Sequence, residues 1–226
     1  SKAVFAPETT PDKPLTLSSE QQTVFDALKT QTTFSCTLLE GVTGSGKTEV
    51  YLQLISEVLQ HGKQALVLVP EIGLTPQTLS RFSARFDVPI VALHSGLTDT
   101  QKALAHGLTK TGEAKIVVGT RSALFTPFES LGIIIVDETH DGSYKQQSGL
   151  RYSARDAAIK RAKLNDIPII LGSATPSLET LHNALGGRYQ YFKLTQRAQK
   201  SVLPTYHLIN IQGHKLQSGL AKPLID

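Results

Sequence analysis

The stretch Gly41-Val42-Thr43-Gly44-Ser45-Gly46-Lys47-Thr48 constrains this chain more than any other. It fits the phosphate-cradling pattern G-x-x-x-x-G-K-[ST] at every required position. The apolar run Cys36-Thr37-Leu38-Leu39 before it predicts a buried strand. After it, Val50, Leu52, Leu54, Ile55, Val58 and Leu59 recur at helical spacing. Strand, glycine-rich turn and helix are the context the pattern needs. The glycines let successive backbone N–H groups turn inward toward phosphate oxygens, and the helix N-terminus adds partial positive charge. Lys47 would reach the β/γ-phosphates, and the Thr48 hydroxyl would hold Mg²⁺.

Strand and helix signals alternate through the rest of the chain. Residues 1–14, with Pro7, Pro11 and Pro14, read as a linker arriving from an upstream domain. Ser19-x-x-Gln22 predicts a capping box that opens a helix carrying Val24, Phe25 and Leu28 inward. Strands are expected at Ala65–Val69, Ile90–Leu93, Ile116–Gly119, Ile133–Val136, Ile167–Leu171 and Tyr189–Leu194. Thr75-Pro76, Thr98-x-x-Gln101, Ser153-x-x-Asp156 and Thr175-Pro176 predict helix starts. Near-continuous apolar strands alternating with helices imply an α/β, RecA-like P-loop lobe. Its mostly parallel sheet would have about seven strands and helices on both faces. The lobe is expected over 15–195.

Composition narrows the setting. The longest apolar run, Ile133-Ile134-Ile135-Val136, is too short to span a bilayer. One cysteine, Cys36, excludes an internal disulfide or a multi-cysteine zinc cluster within this chain, and predicts a reducing, cytoplasmic setting. Residues 1–187 hold 17 Lys+Arg against 18 Asp+Glu, whereas 188–222 carry six cations and no acid. That basic segment fits either a polyanion partner or a solvated tail. Beginning at Ser1 and lacking Met, the chain reads as a fragment, with 196–226 a basic connector toward a second lobe.

Asp137-Glu138-Thr139-His140 is the second anchor. Four aliphatics lead straight into two acids, the placement in which P-loop enzymes hold Mg²⁺ with the first, Asp137. Glu138 can then orient and deprotonate the attacking water. Catalytic candidates are therefore Lys47, Asp137 and Glu138.

With Gly172-Ser173-Ala174-Thr175-Pro176 added, these blocks resemble motifs I, II and III of the superfamily-two DExH helicases, and within them the replication-restart branch. Further stretches carry the resemblance: 69–77, 93–97, 119–128, 144–147 and 151–156. Thr139 stands where the family commonly has Glu, and Leu150 and Ser153 depart from an aromatic or proline and a His. The resemblance implies an ATP-driven motor that moves 3′→5′ on single-stranded and forked DNA, alongside other replication-restart proteins. It implies zinc only in the family's second half. It also implies that Gln21 reads adenine, and that His140, Ser173 and Thr175 couple the nucleotide site to DNA.

The loop 141–152 interleaves Tyr144, Lys145, Arg151 and Tyr152 with Gln and Gly. Rings that stack on bases and cations that meet phosphates hold single strands without reading sequence. The other reading has the tyrosines pack back onto the domain. Thr75, Gln77, Thr120, Arg121 and Ser122 follow strand ends and would offer amides, hydroxyls and one charge to phosphates. Three rivals stay open: a small-molecule P-loop kinase, a nucleotide-gated single-strand clamp without turnover, and an RNA helicase lobe.

Overall fold

The apolar runs become the strands of one sheet. In this computed structural model the described residues are 4–5, 11–147, 149, 151–198, 216–217 and 220–221. The main strands are β1 (Val4–Phe5), β2 (Cys36–Gly41), β3 (Gln64–Leu68), β4 (Ile90–Leu93), β5 (Ile116–Gly119) and β6 (Leu131–Val136). A ribbon of β7 (Lys145–Gln146) and β8 (Tyr152–Ser153) follows, then β9 (Ile169–Ser173) and β10 (Gln190–Leu194). A second ribbon joins β11 (Leu216–Gln217) to β12 (Leu220–Ala221). Six helices intervene: α1 (Ser19–Leu28), α2 (Lys47–Gln60), α3 (Pro76–Arg85), α4 (Asp99–Lys110), α5 (Ala154–Leu164) and α6 (Leu178–Leu185).

The eight-stranded sheet runs β1-β4-β5-β3-β6-β9-β2-β10. Every neighbour is parallel except the short β1, which pairs antiparallel with β4. Seven parallel strands match the sequence expectation. The helices divide cleanly. Leu28, Leu54, Ile55, Leu79 and Phe82 from α1–α3 pack one sheet face with Leu39, Val67, Ile135 and Ile170. Ala105, Ala158, Ala162 and Ala184 from α4–α6 pack the other with Leu38, Leu68, Ile134 and Leu171. The division follows from crossover hand. The connections through α2 and α3 run along the sheet in one direction and those through α4–α6 in the other, so a single hand puts them on opposite faces.

Because the strands are parallel, the loops after β2, β3, β5, β6 and β9 share the carboxyl edge, where ligands of such sheets bind. Thr75 and Thr98 cap α3 and α4 as expected, and Ser153 caps α5. Two boundaries differ. The first capping box is Ser18 with Gln21, one residue early. The last helix is capped by Ser177, whose hydroxyl accepts from Thr180 N, so Thr175-Pro176 precedes it as loop. The short ribbons and β1 carried too few residues to show a period. Most of the expected linker and connector, and Leu150, lie outside the described residues.

Candidate functional site

The turn from β2 into α2 is built around two left-handed glycines, Gly44 at φ +80 and Gly46 at φ +81. A Cβ on Gly46 would lie 2.2 Å from Gln21 Nε2. The glycine therefore admits the Gln21 amide, which donates to Ser45 O at 2.8 Å while its Oε1 accepts from Ser18 N at 2.8 Å. Gln21 is buried and braces the turn from behind. Ser45 Oγ is also buried and has no hydrogen-bond partner among the described residues. Lys47 starts α2, is only 7% exposed, donates to Gly41 O at 2.8 Å and stands 3.8 Å from Glu138 Oε1.

The acids meet this turn because β9 alone separates β2 from β6. Asp137 N continues the ladder by donating to Leu68 O at 2.9 Å. Burial, followed by the neighbouring Glu138 charge, pushes the Asp137 carboxyl above the ordinary carboxylate range, while Lys47 and a Tyr51 hydrogen bond pull the other way. Glu138 adopts φ +46, an uncommon conformation for a residue with a side chain. Thr139 N then donates to Gly172 O at 2.9 Å. His140 Nδ1 lies 3.0 Å from Ser173 Oγ and 3.4 Å from Glu138 Oε2, and Ser173 Oγ accepts from Thr175 N at 3.1 Å. The second and third motifs are thus one hydrogen-bonded unit across β6 and β9.

Two tyrosines hold Asp137 from inside. Tyr51, buried on α2, donates to Asp137 Oδ1 at 3.1 Å. Its hydroxyl passes over Gly172, where an added Cβ would be 1.8 Å from Tyr51 Oη and 2.8 Å from Asp137 Oδ1. Tyr144, also buried, donates to Asp137 O at 2.7 Å. Tyr144 therefore offers no ring to a base; it packs back onto the domain, as the alternative reading had it. Arg121 ties the same loop to the turn after β5, its Nη1 donating to Ser143 O at 2.8 Å and Lys145 O at 3.1 Å.

A cleft of about 1250 Å³ opens over the phosphate turn. Its floor is residues 43–49, with Asp137 and Glu138 on the rim. One wall is the segment Asp12–Thr16, held to α2 and α3. Glu49 accepts from Leu15 N at 3.2 Å, from Gln53 Nε2 at 2.8 Å and from Arg85 Nη2 at 2.9 Å, and Asp12 N donates to Ala84 O. The opposite wall includes Arg197 and Ala198, whose N donates to Gly44 O at 2.9 Å. Among the described residues no group of three or more His, Cys, Asp or Glu could hold a metal unaided. Mg²⁺ needs none: it keeps water and phosphate oxygens and takes one or two protein oxygens. Asp137, half-buried and lining this cleft, fits that donor set with the Thr48 hydroxyl.

The remaining sequence candidates scatter along the edge. Thr75 and Gln77 are exposed at the α3 N-terminus, where the Thr75 hydroxyl accepts from Thr78 N at 3.1 Å. Ser122 is exposed, whereas Thr120 is buried. Lys145 and Arg151 are exposed and Tyr152 half-buried. Sequence reasoning missed Tyr51, although four residues after Lys47 on a helix puts both on one face. It also missed Glu49, Arg85 and the arrival of Ala198 against the turn.

The profile of the DEAD/DEAH box helicase family matches residues 18–184. A "Replication restart protein PriA" from Haemophilus influenzae is 52% identical over 212 residues, 94% of this chain and 29% of that protein. One from Bacillus subtilis is 45% identical over 210 residues, 92% of this chain and 26% of that protein. The chain spans less than a third of these curated relatives. Among solved structures, RecG bound to a three-way DNA junction superposes with TM-score 0.62 at 21% identity, over 83% of this chain and 25% of RecG. The yeast DEAD-box splicing factor Prp28 gives 0.55 at 16% identity, over 73% of this chain and 42% of Prp28. These likenesses establish a shared lobe fold.

Proposed function

The chain belongs to the DEAD/DEAH box helicase family, and from that premise we propose that it is the ATP-binding first lobe of a replication-restart DNA helicase that moves 3′→5′ on single-stranded and forked DNA. The observation that carries this reading is the single rim on which buried Lys47, half-buried Asp137 and left-handed Glu138 converge, with Lys47 3.8 Å from Glu138. Residues 42–48 would cradle the phosphates, Lys47 exchanging Gly41 O for the β/γ-oxygens. Thr48 and Asp137 would hold Mg²⁺, which when bound with ATP neutralises charge developing on the transferred phosphoryl group. Glu138 would orient the attacking water and take its proton, with His140 3.4 Å away fixing the carboxylate. Adenine reading by Gln21 would require its amide to release Ser45 O or Ser18 N.

His140, Ser173 and Thr175 would carry the nucleotide state to the DNA-facing loops, and Tyr144 would link loop 141–152 to the Asp137 carbonyl. Thr75, Gln77, Arg121, Ser122, Lys145, Arg151 and Tyr152 would meet the strand, largely at its backbone. Partners in the longer protein would include other replication-restart proteins, in the cytoplasm. Zinc belongs to this proposal only in sequence beyond this chain, whose one cysteine, Cys36, is buried with its thiol pushed up to about 12. A second lobe would supply the arginine finger, so this chain alone would bind ATP–Mg²⁺ weakly and unwind nothing.

The test is Glu138→Gln in the longer protein. DNA-stimulated ATP turnover should fall about 10²–10⁴-fold with ATP binding retained. Unchanged turnover would show that Glu138 does no chemistry, and a wild-type protein that binds ATP without turning it over would favour the clamp. Stronger stimulation by RNA than by single-stranded DNA would reassign the substrate.

A further inference from the structure

One large aromatic side chain on the carboxyl edge is exposed although its neighbours are not. Ala123, Leu124 and Thr126 in the turn after β5 are fully buried, and between them Phe125 stands 62% exposed. The turn is firmly mounted. Arg161 of α5 donates to the carbonyls of both flanking residues, Leu124 and Thr126, and its guanidinium lies 5.2 Å from the Phe128 ring centroid. Outside the turn, Phe125 meets Tyr152 edge to face, with centroids 5.4 Å apart and planes at 67°. Tyr152 borders a shallow groove of about 560 Å³ formed with Lys145, Gln146, Gln147, Arg151 and Ser153. Among the described residues no carboxylate lines it, and Lys145 and Arg151 are exposed. Arg121 fastens the Lys145 end of that groove to the same turn.

We propose that Phe125, seated against Tyr152, is a base-stacking platform for single-stranded nucleic acid, with Lys145 and Arg151 receiving the adjacent phosphates. This deepens the DNA-binding reading and rests on it. Three features point to this occupant. A rigidly held aromatic face gives stacking at little entropic cost, because no side chain must be ordered on binding. Cations and amides without acids suit a polyanion whose bases differ, since every base has a π-face. The mount also reaches the metal-site acid, because Arg121 and Tyr144 hold one loop between Phe125's turn and the Asp137 carbonyl. Such a platform supplies affinity without sequence readout.

The experiment compares two probes by fluorescence anisotropy on the whole chain: an oligothymidylate of about 12 nucleotides, and an abasic strand of equal length and charge. Wild type should prefer the thymidylate. Phe125→Ala should weaken thymidylate binding about tenfold, leave the abasic strand unaffected, and keep the salt dependence, because no charge is removed. Phe125→Trp should retain or strengthen thymidylate binding. If Phe125→Ala binds thymidylate like wild type, or weakens both strands equally, the platform is refuted while DNA binding stands. If wild type binds neither strand, the DNA reading itself fails, and the platform with it.

Discussion

Lys47 is buried and Asp137 half-buried in the nucleotide cleft, both with hydrogen-bond partners already in place, whereas Lys145 and Arg151, on the same sheet edge, stand in solvent. Each cleft group is held by a different element: Lys47 by the end of β2, Asp137 by α2 through Tyr51, and the phosphate turn by α1 through Gln21. Lys145 and Arg151 instead extend exposed side chains from a loop that Arg121 and Tyr144 fasten through its backbone. The contrast follows from what each region would bind. A phosphoryl-transfer site gains from groups fixed in place before the ligand arrives. A surface that a polymer must slide across gains from exposed, replaceable contacts. Changes in the cleft should therefore disturb the fold, and changes on the strand side should disturb binding alone.

The largest expected effect is Gly172→Ala. The added methyl collides with the Tyr51 hydroxyl, whose ring is boxed in by the core, and with Asp137 Oδ1. Overpacking costs about 1–3 kcal/mol, and loss of the Tyr51 hydrogen bond roughly 1 kcal/mol more. Chemical denaturation should read a loss of about 2–4 kcal/mol. The double variant with Tyr51→Phe should recover part of it, because the nearest obstructing atom is gone. A Gly172→Ala chain as stable as wild type would show that the cleft yields as readily as the loops.

Tyr51→Phe comes next. It keeps the buried ring and removes only the hydrogen bond that aims Asp137. ADP affinity in the presence of Mg²⁺ should fall about tenfold, since partners that orient metal ligands carry 10–100-fold effects. Without Mg²⁺, ADP affinity should not change. Equal losses with and without metal would mean that Tyr51 packs the cleft but does not position the carboxylate.

How much of this was readable depended on how far apart the cooperating residues lie in sequence. The phosphate turn is eight consecutive residues with fixed spacing, so its chemistry was legible before any fold. Most of the seven parallel strands were legible because they are nearly all apolar, as in Ile90–Leu93 and Ile116–Gly119. The Tyr51–Asp137–Gly172 contact joins three separate elements, and no local pattern announces it. The first capping box shows a subtler limit. Ser18-Ser19-Glu20-Gln21-Gln22 satisfies the capping pattern in two registers, and the deciding partner, Ser45 O, is 24 residues from Gln21. Thr175-Pro176 likewise resembled a helix start, but Thr175 N donates to Ser173 Oγ, and the cap passed to Ser177. Tyr144, a stacking candidate in the sequence, packs inward, and Phe125, given no role there, stands exposed, for the same reason. An aromatic residue in a loop looks alike in sequence whether it faces inward or outward.

The smallest and most discriminating effect concerns charge stored in the cleft. The Asp137 carboxyl is raised by burial and by Glu138, so the folded chain holds that proton more tightly than the unfolded chain does. The ionised form is therefore a destabilising feature at neutral pH, and the penalty is relieved as pH falls through the raised midpoint. Asp137→Asn removes the charge and retains an oxygen that can accept from Tyr51. Without nucleotide it should be more stable by about 1 kcal/mol at neutral pH, seen as a rise in melting temperature of roughly 2–4 °C. The gain should shrink as pH falls through the raised midpoint, below which the wild-type carboxyl is protonated as well. The same variant should lose Mg²⁺-dependent ADP binding. If Asp137→Asn instead melts lower at neutral pH, attraction to Lys47 outweighs burial and repulsion, and the empty cleft is charge-balanced like an ordinary ion pair. A stability gain coupled to loss of metal-dependent binding would identify Asp137 as a charge the fold tolerates only for its ligand, a cost that the exposed cations of the strand side do not carry.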